Sequence, residues 1–571
     1  MKPDKTDKIL AVAVDLIDNL AGHDPSPKRM YTPKEVVRMI DYFHQIGVGR
    51  LYWMDDTWNA LYEKPFGGTD NLLAFACDEA HKREMTVHSV IKPFETGLHI
   101  LSLPLHLKPP LRAVRTNQGW HPLSAEFTAA HPEMLLAYRN LPENSADIER
   151  VQRIRLVGAD AKGSMITHAD IEILWSSTNS MYQIYEGPMT CSDSEDNNSR
   201  VLEWSGLELP TETRYIMLRY CGKGDSGDFT NRADLLLEIH GPNGKLPSQQ
   251  DQGRVPIRVA TMLASGNSFP EETRAVLEDP KQCEKAFENH FVFDRSKGIG
   301  RRTMNVPGGY ICHTLDNNTH CAGGLHPGYP EVREFWLNWV RRSLDAGVDG
   351  VGLRIANHST RTSRPEDLGF NEPVLEEYSR RTGRCVAAGE TDLALIRKIN
   401  GEFYTRFVRE CSDMVRARGV RMQHFVHPLM DGLWTRPNSI NNVPATFEFD
   451  YRAWLREGLL DGLCLRPHWK DLNDVRYFGD MVGAQARLFG VDMFYANQTG
   501  PLNKAAADNE IGVHIPAELN HVRNSDLYDG FILYEAAGVM GIDESGTFHT
   551  SERLEKVIRE KWERTAVKSN G

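Results

Sequence analysis

A chain of 571 residues is too long for one compact domain of ordinary size, so a barrel-sized unit carrying an insertion is the simplest arrangement. Hydrophobic residues make up 40% and charged residues 25%, as in soluble globular proteins, and no apolar run is long enough to span a bilayer. The net charge of −12 argues against nucleic acid as the main partner, and nine scattered cysteines do not read as a disulfide framework.

The opening residues Met1–Lys8 are charged and lead into the first apolar run without an export-signal pattern. A cytoplasmic protein, or an exported one whose signal peptide is absent from this chain, is expected. Eight short apolar runs then recur, each ending in polar, aromatic or charged residues: Ile9–Asp15, Arg50–Asp55, Met85–Ile91, Gly350–Arg354, Arg421–Val426, Gly462–Arg466, Val491–Tyr495 and Phe531–Tyr534. Helix-like stretches separate them. Thr32-Pro33 supplies an N-cap and a first-turn proline for a helix that stops near Gly47, and a second helix covers Asn71 to Arg83. Strands alternating with helices predict βαβ units and a parallel sheet, and eight of them a closed (β/α)8 TIM barrel with its chemistry at the carboxyl ends of the strands.

After strand three the rhythm breaks until Glu331. Period-two segments appear instead at Ile171–Trp175, Met181–Tyr185, Arg214–Tyr220 and Leu235–Ile239, separated by turns that include Cys191–Ser199 and Gly222–Gly227. This pattern predicts an antiparallel β-sandwich inserted in the loop after strand three. The expected division is 1–147 for the first part of the barrel, 148–260 for the sandwich and 261–571 for the remainder. Helices are expected at Pro330–Leu344, 372–382, 390–418 and near 451–458. Residues 474–489 precede the expected strand seven, and a charged helix spans 550–565.

Three stretches resemble the glycosyl-hydrolase-like family 10 barrels and related uncharacterised TIM-barrel glycoside hydrolases. They are His326–Arg333 leading into Ala346–Arg354, Leu368-Gly-Phe-Asn-Glu-Pro373 with Glu377-Tyr378, and Phe449–Asp461. The likeness covers the barrel and not the sandwich, and implies a carbohydrate-active hydrolase. The common clan of retaining barrel glycosidases carries carboxylates at the ends of strands four and seven. Here those ends read Arg354-Ile-Ala-Asn357-His358 and Tyr495-Ala-Asn497-Gln498.

Glycosidic cleavage uses two carboxyl groups, one to protonate the leaving oxygen and one as base or nucleophile. The candidates are Glu535 after strand eight, Asp55 beside Asp56 after strand two, and Glu95 after strand three, with Glu448 in a later loop. The apolar approach Ile532–Tyr534 is expected to raise the Glu535 carboxyl and suit it to general acid work. Each of these could also be a rim carboxylate paired with an arginine or capping a helix. Sugar-stacking rings are expected at Trp53, Trp469, Tyr495 and Tyr534, with Trp58 and Trp434 at least as readable as rim packing. Asn357, Asn497 and Gln498 offer donors and acceptors. Lys92, Arg354, His358, His427, Arg466 and His468 would suit an anionic sugar, or pair with the carboxylates. His424 and His427 should face opposite sides of strand five, and His88 reads as a buried core residue.

Cys312-His313 and His320-Cys321 form a symmetric pattern that a hairpin could converge on zinc, although it matches no standard spacing. No phosphate loop, nucleophile elbow or nucleotide-binding glycine pattern is present, and the sequence calls for no cofactor or metal. The reading is a glycoside hydrolase acting on an oligosaccharide or glycoside. A metal-assisted hydrolase and a non-catalytic glycan-binding barrel are the alternatives.

Overall fold

The computed structural model describes residues 8–15, 31–54, 72–95, 111–112, 127, 131–137, 139, 151–157, 167–176, 181–196, 199–210, 213, 215–220, 236–242, 244–245, 257–261, 309–314, 320–355, 368–386, 391–426, 446–465, 486–491, 515–543 and 545–562. Eight parallel strands close into a barrel in chain order: β1 (Ile9–Val14), β2 (Arg50–Met54), β3 (Thr86–Ile91), β4 (Gly350–Arg354), β5 (Arg421–Val426), β6 (Gly462–Leu465), β7 (Arg487–Val491) and β8 (Gly530–Tyr534). The expected (β/α)8 architecture is therefore present. Among the described residues no helix is long and apolar enough to cross a membrane.

Strand alternation sorts the side chains. Leu10, Val12, Leu51, Trp53, Val87, Val351, Leu353, Met422, Leu463, Leu488, Phe531 and Leu533 face outward into the core shared with the helices. Ala11, Ala13, Tyr52, Met54, Val90, Phe425, Cys464, Phe489, Ile532 and Tyr534 fill the interior. Both faces are buried, which is why these strands read as near-continuous apolar runs.

One device recurs at the entry of alternate strands. Asp349-Gly350, Asp461-Gly462 and Asp529-Gly530 open β4, β6 and β8. In each, the aspartate accepts a hydrogen bond from a backbone N–H of the preceding strand, from Val87, Met422 and Leu488 respectively, each at 2.8 Å. The glycine that follows leaves room for a neighbour: a Cβ at Gly350 would meet His88 Nδ1 at 2.3 Å, one at Gly462 the Arg487 carbonyl at 2.6 Å, and one at Gly530 the Ile9 carbonyl at 2.4 Å. Bulk from one strand thus fills the space left by the next.

Helices form where expected. Pro33–Gln45 starts with a capping box, Glu35 N–H donating to Thr32 Oγ1 at 3.3 Å and Thr32 N–H to Glu35 Oε2 at 2.7 Å. The later helices are Leu72–His81, Pro330–Asp345, Glu372–Thr382, Leu393–Ala417, Tyr451–Arg456, Ile515–Asn524 and Glu552–Lys561. The motifs that carried the family resemblance serve the architecture. His326 is fully buried, accepts from Gly328 N–H at Nδ1 (2.9 Å) and donates from Nε2 to Asn400 Oδ1 (2.7 Å). Asn371 accepts from Ala137 N–H and donates to the Leu135 carbonyl, tying the strand Leu135–Ala137 to the start of a helix. Asp450 caps Tyr451–Arg456 through Ala453 N–H.

Between β3 and β4 the described residues form two larger antiparallel sheets and a two-stranded one, Leu135–Ala137 with His320–Leu325. One of the larger sheets joins Arg153–Val157, Thr190–Asp196, Ser199–Ser205, Leu236–Gly241 and Gly244–Lys245. The other joins Leu111–Arg112, Ile171–Ser176, Met181–Ile184, Tyr215–Tyr220, Ile257–Thr261 and Gly309–Thr314. Ile154, Leu156, Leu202, Trp204 and Ile239 of the first share one apolar cluster with Ile171, Ile173, Ile216 and Leu218 of the second. The second sheet takes strands from both sides of the expected 148–260 segment.

Three expectations need correction. Strand seven begins at Arg487, ahead of the expected Val491–Tyr495, whose residues after Val491 lie outside the described residues. Gly490 lies inside it, where a Cβ would meet Val522 and Tyr528 at 3.1 and 3.3 Å. Most of the expected turn Cys191–Ser199 belongs to a strand, Thr190–Asp196, paired along its length with Ser199–Ser205; its seven side chains are exposed, so no apolar alternation marks it. Gly309–Thr314 and His320–Leu325, which carry the Cys-His and His-Cys pairs, do not form a hairpin. The first pairs with Tyr215–Tyr220 and Ile257–Thr261, the second with Leu135–Ala137.

Candidate active site

The carboxyl ends of β1, β3, β4 and β8 bring six polar side chains to one rim of the barrel: Asp15, Lys92, Glu95, Arg354, Tyr534 and Glu535. Period two explains four of them. Asp15 continues the inward row of Ala11 and Ala13, Lys92 that of His88 and Val90, Arg354 that of Gly350 and Gly352, and Tyr534 that of Ile532. Glu95 is delivered by a turn after β3, its N–H donating to the Lys92 carbonyl at 2.9 Å. Glu535 follows a cis Tyr534–Glu535 peptide and caps the short turn Ala536–Val539.

All six are buried. Asp15 is 6%, Lys92 4%, Glu95 6%, Arg354 8%, Tyr534 7% and Glu535 0% exposed, so their charges act on one another in a medium much poorer than water. Lys92 Nζ lies 3.5 Å from Asp15 Oδ2 and 3.6 Å from Glu95 Oε2. Burial pulls the Lys92 ammonium down, but the carboxylates of Glu95 and Asp15 together outweigh it and hold the group above the ordinary lysine range. Arg354 donates from Nη1 to the Tyr534 hydroxyl at 2.6 Å, and its guanidinium carbon sits 5.0 Å from the Tyr534 ring centre. Burial works against the Arg354 charge, while Tyr534, Glu95 and Glu535 favour it strongly enough to raise it.

Beneath this rim the interior is closed by a second polar set. The Tyr52 hydroxyl and His88 Nδ1 both donate to Gln423 Oε1 at 2.9 Å. Arg50 donates to Thr86 Oγ1 at 3.0 Å and to the Tyr52 oxygen at 3.4 Å, and Cys464 Sγ approaches that oxygen at 3.8 Å. Burial pushes the Cys464 thiol up to about 12, raises Tyr52 and lowers His88, so all three stay neutral near pH 7. This layer is a hydrogen-bonded filling with no ionised pair to offer a substrate.

Of the residues expected at the site, Glu535, Glu95, Lys92, Arg354 and Tyr534 meet there. Asp15 was passed over, although it closed the first apolar run and so carried the same signal as the others. Trp53 is corrected. It is 1% exposed and lies in the core between barrel and helices, because Tyr52 and Met54 take the inward positions of β2; it presents no ring face to the rim. Glu448 is exposed, its N–H bonded to the Arg397 carbonyl on an outer helix, away from the barrel interior. His88 is the core residue expected. His424 faces outward, accepting from the Tyr404 hydroxyl at 3.1 Å and donating to the Phe425 carbonyl at 3.0 Å; burial holds it down at about 3. Asp55, Asn357, His358, His427, Arg466, His468, Tyr495, Asn497 and Gln498 lie outside the described residues, as do Asp56, Trp58, Trp434 and Trp469.

No family model matches the chain, and no curated protein does. Among solved structures 122 chains match. One is the catalytic domain of β-amylase from Paenibacillus polymyxa, with a TM-score of 0.41 and 8% identity, covering 97% of this chain and 99% of that one. Another is a GH20 exo β-N-acetylglucosaminidase from Vibrio harveyi, with a TM-score of 0.36 and 8% identity; it covers 98% of this chain, which spans 55% of it. Morphinone reductase also matches, with a TM-score of 0.30 and 10% identity over 92% of this chain and 81% of that one. Likeness this distant decides neither function nor mechanism, and the barrel assignment rests on the strand order itself.

Proposed function

We propose that the protein is a glycoside hydrolase whose substrate, an oligosaccharide or glycoside, lies across the rim formed by Asp15, Lys92, Glu95, Arg354, Tyr534 and Glu535. The observation that carries this reading is the burial of three carboxylates, two cations and a phenol together at the carboxyl end of a closed barrel, the end where barrel enzymes do their chemistry. A binding surface alone has little use for three buried carboxylates, whose desolvation is costly. Glycoside hydrolysis uses two carboxyl groups in different protonation states, and their surroundings here differ. Glu95 stands 3.6 Å from the Lys92 ammonium, where each charge stabilises the other, and serves as the base or nucleophile. Glu535, 0% exposed, serves as the acid, a role that uses its neutral form. Asp55 remains a candidate partner from the sequence. A buried cation at this rim fits an anionic sugar. We also read the two larger antiparallel sheets as a β-sandwich inserted after β3, forming one wall of the site.

The test is release of reducing ends or aglycone from a panel of aryl glycosides and defined oligosaccharides. Turnover is expected for the parent protein, with a loss on the order of 1,000-fold or more in kcat for Glu535→Gln and Glu95→Gln. Turnover that survives Glu535→Gln unchanged removes the acid assignment. Binding of glycans without turnover across the panel removes the hydrolase reading.

A further inference from the structure

The two cations at the rim have unlike partners. Lys92 sits between Asp15 and Glu95 at ion-pair distance from both. Among the described residues Arg354 makes one side-chain hydrogen bond, to the uncharged hydroxyl of Tyr534, and no carboxylate comes within ion-pair range of its guanidinium. Glu95 and Glu535 act on it only through space. A guanidinium carries five N–H donors in a planar fork, and a buried one with a single neutral acceptor is short of partners. The Tyr534 ring and hydroxyl fix the plane of that fork.

We propose that Arg354 is the recognition group for a carboxylate on the substrate, so that the sugar is of the uronic acid class, while Lys92 serves the protein's own carboxylates. The inference rests on the reading of the rim as a sugar site. A planar carboxylate matches the fork with two parallel hydrogen bonds, which a neutral hydroxymethyl group at the same position does not. Among the described rim residues the carboxylates of Asp15 and Glu95 repel a substrate anion, which favours placing its acidic group on the Arg354 side. Discrimination then comes from both the attraction and the repulsion.

Binding of glucuronate and galacturonate is measured by calorimetry against glucose and galactose, for the parent protein, Arg354→Gln, Arg354→Lys and Tyr534→Phe. Alongside, turnover of aryl glucuronides and galacturonides is compared with that of the neutral aryl glycosides. The parent is expected to favour the uronates by at least about tenfold. Arg354→Gln should lose uronate binding on the order of 100-fold while neutral sugars change less than about threefold. Arg354→Lys, which keeps the charge and loses the fork, should fall between. Tyr534→Phe frees the fork from its support without removing it and should weaken uronate binding by about three- to tenfold; it keeps the question answerable if Arg354→Gln fails to fold. Equal binding of acid and neutral sugars by the parent, an equal loss on both in the variants, or preference for a sulfated sugar over the uronates overturns the proposal. Arg354-dependent uronate binding without hydrolysis of any uronide refutes the hydrolase reading and leaves this inference standing.

Discussion

Removing the Lys92 charge is the sharpest perturbation of the rim. In Lys92→Met the carboxylates of Asp15 and Glu95 lose the ammonium that stands 3.5 and 3.6 Å away, with the side chain 5% exposed. At an effective dielectric near 20 each of those attractions is worth about 5 kcal/mol, and the two carboxylates then repel each other as well. The protein escapes part of this cost by taking up a proton. Protonating one ordinary carboxyl at pH 7 costs about 4 kcal/mol, which limits the net loss to roughly 3–5 kcal/mol, the usual range for a buried pair deprived of one partner. The melting midpoint is therefore expected to drop by roughly 5–10 °C at pH 7, read by circular dichroism. The deficit against the parent should shrink by more than half at pH 5, where proton uptake is cheap. The parent has the opposite limit. A lysine raised in the folded state contributes stability that is fully present below its unfolded value near 10.4 and is lost only as pH rises through the folded one. A midpoint within 1 °C of the parent at pH 7, or a deficit that does not change between pH 7 and pH 5, refutes the assignment of Lys92 as the partner of both carboxylates.

Other consequences are open to simpler measurement. Gly530→Ala places a methyl 2.4 Å from the Ile9 carbonyl, a backbone atom that cannot step aside alone, and should cost about 3 kcal/mol or more, seen as a lower melting midpoint and poor soluble yield. Asn371→Ala strands the Ala137 N–H and the Leu135 carbonyl in a buried setting and should cost about 2–4 kcal/mol, with faster amide exchange at Ala137 as its local signature. Burial holds His326 down at about 4, so the unfolded chain binds its proton first and stability falls as pH drops from 6.5 toward 4; His326→Gln should flatten the melting profile across that window. Trp53→Leu should lower the midpoint by the equivalent of about 2–4 kcal/mol while glycan binding stays unchanged, since the ring packs among helices; weakened binding in a stably folded variant would return Trp53 to the site.

Much of the barrel was legible because its strands are buried on both faces, which gives short apolar runs that stop abruptly where the chain meets the rim. Lys92, Arg354 and Tyr534 stood out by that rule, and Glu95 and Glu535 by lying just past it. Asp15 obeyed the rule too, but it was read as the end of a strand and not as a member of the site. Trp53 failed for a different reason. Its nearness to the end of β2 was visible, while its side depended on whether position 52 or 53 points inward, and a one-residue change of register reverses that. Strand seven starts earlier than expected, at Arg487, with Gly490 inside it under Val522 and Tyr528. Residues 190–196 left no apolar trace at all, being held by the backbone of Ser199–Ser205 and by the ion pairs of Asp193 with Arg200 and Asp196 with Arg155. The motifs around His326 and Asn371, which carried the family resemblance, are hydrogen-bonding joints whose polar atoms are taken by Gly328 N–H, the Asn400 side chain, Ala137 N–H and the Leu135 carbonyl.

The aspartates that open β4, β6 and β8 bear on how such a chain can change over time. Each fixes the alignment of its strand against the preceding one from the floor of the barrel, with a local contact that takes no part in the loops above. Asp349 is the telling case. The polypeptide leaves β3 at Ile91, builds further antiparallel sheets, and returns to seat Gly350 beside His88, guided by a bond from Val87 N–H. Because closing a longer excursion adds only slowly to the entropic cost, what matters is that the return point identifies itself. The excursion above β3 can then be lengthened, shortened or exchanged with the sheet beneath it left undisturbed, which makes that junction the natural place to graft a different specificity onto the same scaffold.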